Sequence, residues 1–448
     1  MNEQSMKRQP TGMVGFTIIW IGQVFSLLGT SMTGFALAIW AWQITGQATT
    51  LALLAFFSFA PAVVVSPIAG ALVDRYNRKE IMALADFAAG IPTIGVLLLY
   101  VTGNLQIWHL FVTGAIAGTF QSFHFPAYSA AVTMILPKKH YARASGMLSL
   151  ADFSSMIFAP VVAALLLTIV GIEGILFIDI ASFSVAICML LIVHIPQPPM
   201  TEAGRKGMGG LWKESLYGFR YIYERPSLLG LQLVFLSFNL VATFGNVLLS
   251  PLILSRTGND TIILGSVMSA SGIGGLIGSL LLTMWGGPKR RVHGILIGMT
   301  CLSFFGLFLM GLGRSPIVWT ATSFISMLFV PIANGSSQAI WQAKVAPDVQ
   351  GRVFATRRLI AQISSPIAML IAGPLADNFF EPNMSEQGSL ATIFGNFVGT
   401  GSGAGMALMM VITGVLGIAV SLGAYTFKTV RNAEDILPDH DAKTVQQT

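Results

Sequence analysis

The sequence predicts an all-α membrane protein with twelve transmembrane helices in two six-helix bundles. Three observations carry this: the composition, the lengths of the apolar runs, and an offset at which the chain repeats itself. Of 448 residues, 54% are hydrophobic and only 10% are charged, and the mean hydropathy is +0.73. A water-soluble domain carries about 25% charged residues, so this chain has too few to cover a surface in water. Its apolar runs are long enough to cross a hydrocarbon core of ~30 Å at ~1.5 Å per residue.

Taken in order, the runs predict helices at 13–42, 50–73, 81–102, 106–136, 144–170 and 174–195. A second set follows at 228–255, 261–286, 292–313, 316–341, 359–377 and 404–427. The first run has no small-residue cleavage site and reads as a retained span, not a removed signal peptide. Residues 1–195 are expected to form an N-terminal bundle, and 228–448 a C-terminal bundle with a short cytoplasmic tail. Between them, 196–227 is a cytoplasmic linker. It opens with the Pro/Gly-rich "PQPPMTEAGRKGMGG", a flexible composition. In the following "LWKESLYGFRYIYERP", Leu211, Trp212, Leu216, Phe219 and Ile222 share one helical stripe, which predicts an amphipathic helix at the interface.

The charges set the orientation. With the N-terminus inside, 23 of the 25 Lys and Arg residues fall in cytoplasmic segments, leaving only Arg256 and Arg314 outside. Positive residues stay on the cytoplasmic side, so both termini are expected there, in a multi-pass protein of the plasma or inner membrane. The net charge of +6 is a topology signal with some attraction for anionic lipid, not a nucleic-acid footprint. Cys188 and Cys301 lie inside apolar runs and suggest neither a disulfide framework nor a metal site. The runs "SGIGGLIGS" and "VGTGSGAG" lack the Lys and the strand–loop–helix setting of a phosphate loop. They read as small-residue helix packing and as an external loop. No cofactor site and no catalytic constellation is visible, so an enzyme is not expected.

The repeat follows from three matches. "GAL" at Gly70 returns as "GSL" at Gly278, "LPKKHYAR" at Leu136 as "APDVQGR" at Ala346, and "IFAPVVA" at Ile157 as "ISSPIAM" at Ile363. The offsets stay between 206 and 210, as for parallel repeats of a two-lobed secondary transporter.

"GALVDRYNRKE" at residues 70–80 closely resembles the signature of the major facilitator superfamily between its second and third helices. Gly70, Leu72, Asp74, Arg75, Arg78 and Lys79 match, and Asn77 stands where the second Gly is expected. Asn tolerates the left-handed backbone a Gly supplies. The resemblance implies a gating motif in which Asp74 engages the start of the eleventh helix, at Val353 to Arg358. "FHFPAYSAAVTMILPKKHYARASG", "VAPDVQGRVF" and "GPLADNFF" look like the macrolide-efflux and siderophore-exporter branch. The fifth-helix antiporter pattern survives only as Ala159-Pro160-Val161-Val162-Ala163-Ala164, and the fourth-helix arginine of many proton-coupled drug exporters is absent.

An ionised carboxylate at mid-bilayer costs ~2.5–3.5 kcal/mol on insertion scales, so each intramembrane acid needs a reason. Asp152 has the greatest expected depth and is the first candidate for a proton carrier. Asp86 and Asp179 lie nearer the two interfaces. His124 is the mid-span residue that titrates near neutral pH. Each of the four also has a structural reading as a group bonded to a neighbouring helix.

The resemblance implies a cavity lined by helices 1, 4, 7 and 10, and each carries a polar stripe at helical spacing. Helix 1 offers Gln23, Ser26 and Thr30, and helix 4 offers Gln121, His124 and Tyr128. Helix 7 offers Asn239, Thr243 and Asn246, and helix 10 offers Asn334, Gln338 and Trp341. Such residues line a cavity or bond helix to helix. Together these features predict a secondary active transporter that exports amphipathic organic molecules against protons, as a monomer in the lipid bilayer. The rivals are an uptake permease for a small polar solute and a transport-inactive membrane scaffold or sensor.

Overall fold

The computed structural model describes residues 10–75, 77–137, 141–195, 218–345 and 350–437, without the side chains at 67–68, 70–75, 125–126, 129–130, 133, 141–143, 145–146, 149, 350–352 and 355. The side chains of Gly70, Leu72, Asp74 and Arg75, and the stripe residues Leu211, Trp212 and Leu216, lie outside the described residues.

Twelve long helices follow one another, and no strand occurs among the described residues. They are α1 (Gly12–Thr45), α2 (Ala48–Arg75), α3 (Arg78–Val101), α4 (Ile107–Ile135), α5 (Tyr141–Ile169) and α6 (Gly171–Ile192). Then come α7 (Pro226–Arg256), α8 (Thr261–Trp285), α9 (Arg291–Leu312) and α10 (Pro316–Lys344). Helix α11 runs from Gln350–Gln362 through Ser364–Leu375 and Ala376–Phe380 to Glu381–Asn383, and α12 spans Ala404–Gly423. Eleven of them meet the length and hydropathy needed to cross a membrane among the described residues, and α4 is the other.

The helix starts follow the chemistry of their first residues. The first N–H groups of a helix have no partner within it. Asp260 takes the N–H groups of Ile262 and Ile263 at the head of α8, and Ser315 takes that of Val318 at the head of α10, just before Pro316. Asn77 does the same for α3, its Oδ1 accepting from Lys79 N at 3.0 Å. Its backbone is extended (φ −62°, ψ 116°), not the left-handed turn expected from the motif. Asn serves here because its carboxamide caps a helix.

Contacts divide the chain into two compact units. Unit 1 holds Met1–Thr45 and Leu53–Met208, and unit 2 holds Gly46–Ala52 and Gly209–Thr448. In unit 1, Phe16, Ile19, Met82, Ala131 and Leu190 bring α1, α3, α4 and α6 into one apolar core. Lys79 braces it by donating to the carbonyls of Leu191 and Val193 at the end of α6, at 2.7 and 2.8 Å. In unit 2, Leu231, Phe235, Ile295, Leu296 and Met299 join α7 to α9. Residues 434–437 fold against it: Glu434 accepts from Val292 N at the head of α9, and Lys344 Nζ donates to the Glu434 and Leu437 carbonyls.

The glycine run in α8 packs as its composition suggests. A Cβ at Gly274 or Gly278 would run into the backbone oxygen of Phe324 or Leu328 on α10, so only hydrogen fits between the two helices. Gly278→Leu is expected to destabilise the detergent-solubilised protein by about 3 kcal/mol, the upper range for overpacking. Leu281→Ala, an exposed position on the same helix, should leave the thermal midpoint within a degree or two. Scanning fluorimetry on both variants measures the contrast.

Candidate functional site

Two separate clusters of buried polar groups lie in unit 1. In the first, α1 supplies Gln23, α3 supplies Asp86, and α4 supplies His124 and Tyr128. Gln23 Nε2 donates to Asp86 Oδ2 at 2.8 Å. His124 Nε2 lies 3.2 Å from Asp86 Oδ1, but off the line of a well-directed hydrogen bond, so its contact is electrostatic first. The two side chains are only 13% and 8% exposed. One turn on from His124, the Tyr128 ring sits 5.8 Å away centre to centre. Its hydroxyl is buried and has no hydrogen bond among the described residues.

The spacing of the residues makes this cluster. His124 and Tyr128 are four apart, so α4 presents both on one face. Charge decides what the group does. With a protonated imidazole the pair is neutral overall. Without that proton a single negative charge remains in apolar surroundings, held by one amide, which is costly.

The second cluster surrounds Asp179 on α6. Thr30 on α1 donates to its Oδ1 at 3.1 Å, and Thr93 on α3 to its Oδ2 at 3.2 Å. Gly29 makes room, since a Cβ there would lie 3.0 Å from Asp179 Oδ1. Asp179 is 2% exposed. Thr93 is a partner that sequence reasoning missed, because a lone Thr in an apolar span carries no distinguishing signal.

Asp152 differs from both. It is exposed on α5, with no hydrogen bond or ion pair among the described residues. Its neighbour Ser155 is the residue that reaches α1, bonding Ser31 Oγ at 2.7 Å. Gln121 is exposed, and Ser26 is half-buried.

In unit 2 several expected cavity residues join helices. Asn239 Nδ2 donates to the Ala361 carbonyl at 2.9 Å, and Thr243 Oγ1 to Ser365 Oγ at 3.2 Å, both linking α7 to α11. Trp341 is 1% exposed and packs with Ile222, Leu228 and Val353. Asn246 and Asn334 are exposed. Gln338 accepts from Arg357 Nη1 at 2.8 Å, while Nη2 donates to Ser337 Oγ at 2.8 Å. The Arg357 guanidinium also lies 5.1 Å from the centre of the Trp341 ring. Counting Arg357 only among the cytoplasmic charges hides it, because orientation within a helix is not visible in that count.

Two six-helix units of apolar spans, with buried and partnered acids inside one of them, are the architecture of a membrane transporter. The chain matches the family model described as Major Facilitator Superfamily over residues 19–369, and it belongs to that superfamily. It is 28% identical over 381 residues to macrolide efflux protein A of Streptococcus pyogenes, covering 83% of this chain and 92% of that one. It is 24% identical to the multidrug efflux pump Tap of Mycolicibacterium fortuitum, over 83% of this chain and 90% of that protein. The fold is shared with a bacterial homologue of the lysosomal transporter Spinster (TM-score 0.67, 13% identity, 93% and 97% covered). It is also shared with a variant of the nucleoside transporter NupG (TM-score 0.61, 14% identity, 91% and 99% covered).

Proposed function

We propose that this transporter exports amphipathic organic molecules, of the size and character of macrolides, in exchange for protons. The observation that carries the coupling is the Asp86–His124 pair at 3.2 Å inside unit 1. Intramembrane acids and histidines that face a bundle interior mark proton relays. Asp86 and His124 form the carrier, Gln23 orients the carboxylate, and the Tyr128 hydroxyl, without a partner among the described residues, is the group left for water or substrate. Asp152 is exposed and bonded to nothing among the described residues, and it takes a lesser role. Asp179, closed off by its hydroxyls, holds α1, α3 and α6 together.

The class of substrate rests on the relatives named for macrolide and multidrug efflux. The basic connectors support a plasma or inner membrane location with both termini in the cytoplasm, and the protein works as a monomer. Asp74 acts as the cytoplasmic gate of the family motif. The test is accumulation of a labelled macrolide in cells with and without the gene. Expression is expected to lower accumulation several-fold, and a protonophore to restore it. Lower accumulation that persists with the protonophore would remove proton coupling, and unchanged accumulation across macrolides and dyes would remove the substrate class.

A further inference from the structure

The first turn of α2 is held by a residue 329 positions away. Asp377 on α11 accepts from Ala48 N at 3.0 Å through one oxygen and from Thr49 N at 2.7 Å through the other. These N–H groups are among those an α-helix cannot satisfy itself, and a carboxylate there also meets the positive end of the helix dipole. The residue just before α2 is Gln47, outside the Ser, Thr, Asp and Asn set that caps well.

Three further features are built around this contact. Asp377 lies in a π-helical stretch, Ala376–Phe380, that follows Pro374. The wider turn re-aims the side chains after it, as π-type turns often do at working sites. Gly373 sits one turn earlier on the same face. A Cβ there would run into Thr49 Cα and come within 2.9 Å of Ala52 Cβ, so the two helices touch backbone to backbone. Last, residues 46–52 cluster with unit 2, whereas α2 from Leu53 onward clusters with unit 1.

The sequence adds a correspondence. Gly373-Pro374-Leu375-Ala376-Asp377 repeats the Gly, Leu and Asp of Gly70-Ala71-Leu72-Val73-Asp74 at the same spacing. One pattern lies near the end of α2 and the other near the end of α11. The family resemblance aims Asp74 at the start of α11, and the geometry aims Asp377 at the start of α2.

We propose that Asp377 is a positioning residue for the transport cycle, holding the first turn of α2 in unit 2 at the end of the bundle away from the basic connectors. In this state the clasp is closed. For that end to open, the Ala48 and Thr49 N–H groups leave the carboxylate and are taken up by water. The Asp377 and Asp74 patterns are then a pair of opposed latches, one for each end. This rests on the protein being a transporter of its superfamily and on no particular substrate or coupling ion.

Cysteine accessibility tests the clasp. Ala52 is fully buried, so Ala52→Cys, in a background with Cys188→Ser and Cys301→Ser, reports release of the turn to a membrane-impermeant maleimide. Asp377→Ala is expected to raise the labelling rate at least about tenfold, the size of a lost charge-assisted contact, and Asp377→Asn by less, since its amide oxygen still accepts. Gly373→Leu should raise labelling similarly with the carboxylate intact. Ala163→Cys, fully buried in unit 1, is the control for general loosening. Labelling at Ala52→Cys that stays unchanged in both Asp377→Ala and Gly373→Leu overturns the proposal. Labelling that rises equally at Ala163→Cys does so too, since Asp377 would then be a structural cap alone. The readout needs neither substrate nor proton gradient, so its failure is distinct from a failure of the export reading.

Discussion

Asp86→Asn is expected to abolish uphill export while leaving substrate exchange intact. One pH unit across a membrane supplies about 1.4 kcal/mol per proton, enough for a tenfold accumulation ratio in one-for-one exchange. In proteoliposomes with such a gradient, that ratio should fall to about one in the variant. The carboxamide keeps the shape of Asp86 and its bond from Gln23, but it can neither lose a proton nor balance a protonated His124, 3.2 Å away. Counterflow of labelled against unlabelled substrate needs no net proton movement and should survive. Asp152→Asn is the comparison, because that side chain is exposed and bonded to nothing among the described residues. It should retain most of the gradient-driven ratio. A reversal, with Asp152→Asn uncoupled and Asp86→Asn active, returns the carrier role to Asp152.

The second large effect is on stability. Asp179→Ala should destabilise the purified protein by about 3 kcal/mol, since the buried Thr93 hydroxyl and that of Thr30 lose their acceptor and a small void opens. Thr30 and Thr93 would be left pointing at it from α1 and α3. Asp179→Asn keeps an acceptor oxygen and nearly the same volume, and it should cost about 1 kcal/mol or less. Thermal unfolding followed by intrinsic fluorescence separates the two. If Asp179→Ala unfolds at the wild-type temperature and yet transports nothing, the acid works in coupling rather than as a tie between helices.

The two clusters show how far a single chain of residues could be read. The spans and their order follow from hydropathy along the chain, which is a local property, and the internal repeat from short motifs matched at one offset. Helix starts at Asp260 and Ser315 are likewise local, since capping reaches only two or three residues ahead. The glycines of α8 were legible as packing positions because small residues at helical spacing have few other uses in a membrane. Asn77 was placed correctly in the motif but given the wrong backbone, since Asn suits both a left-handed turn and a helix cap, and only the observed φ of −62° separates them.

Ranking the intramembrane acids was a different matter. Depth counted from a helix start put Asp152 first, yet burial depends on which side of the helix meets a neighbour. Helical periodicity states which residues share a face, as with His124 and Tyr128, but it does not say which face opposes which helix. Gln23 and Asp86 are 63 positions apart, and nothing between them signals that they touch. Asp377 lies 329 positions from Ala48 and needed a π-helical stretch to reach it. The sequence by itself determined the helical membrane fold, its two repeated halves and the superfamily, because bilayer thickness and the cost of charge in hydrocarbon act residue by residue. Which acid is paired, which is capped by hydroxyls and which clasps another helix was decided only by tertiary packing, because a hydrogen bond depends on distance in space and not on separation along the chain.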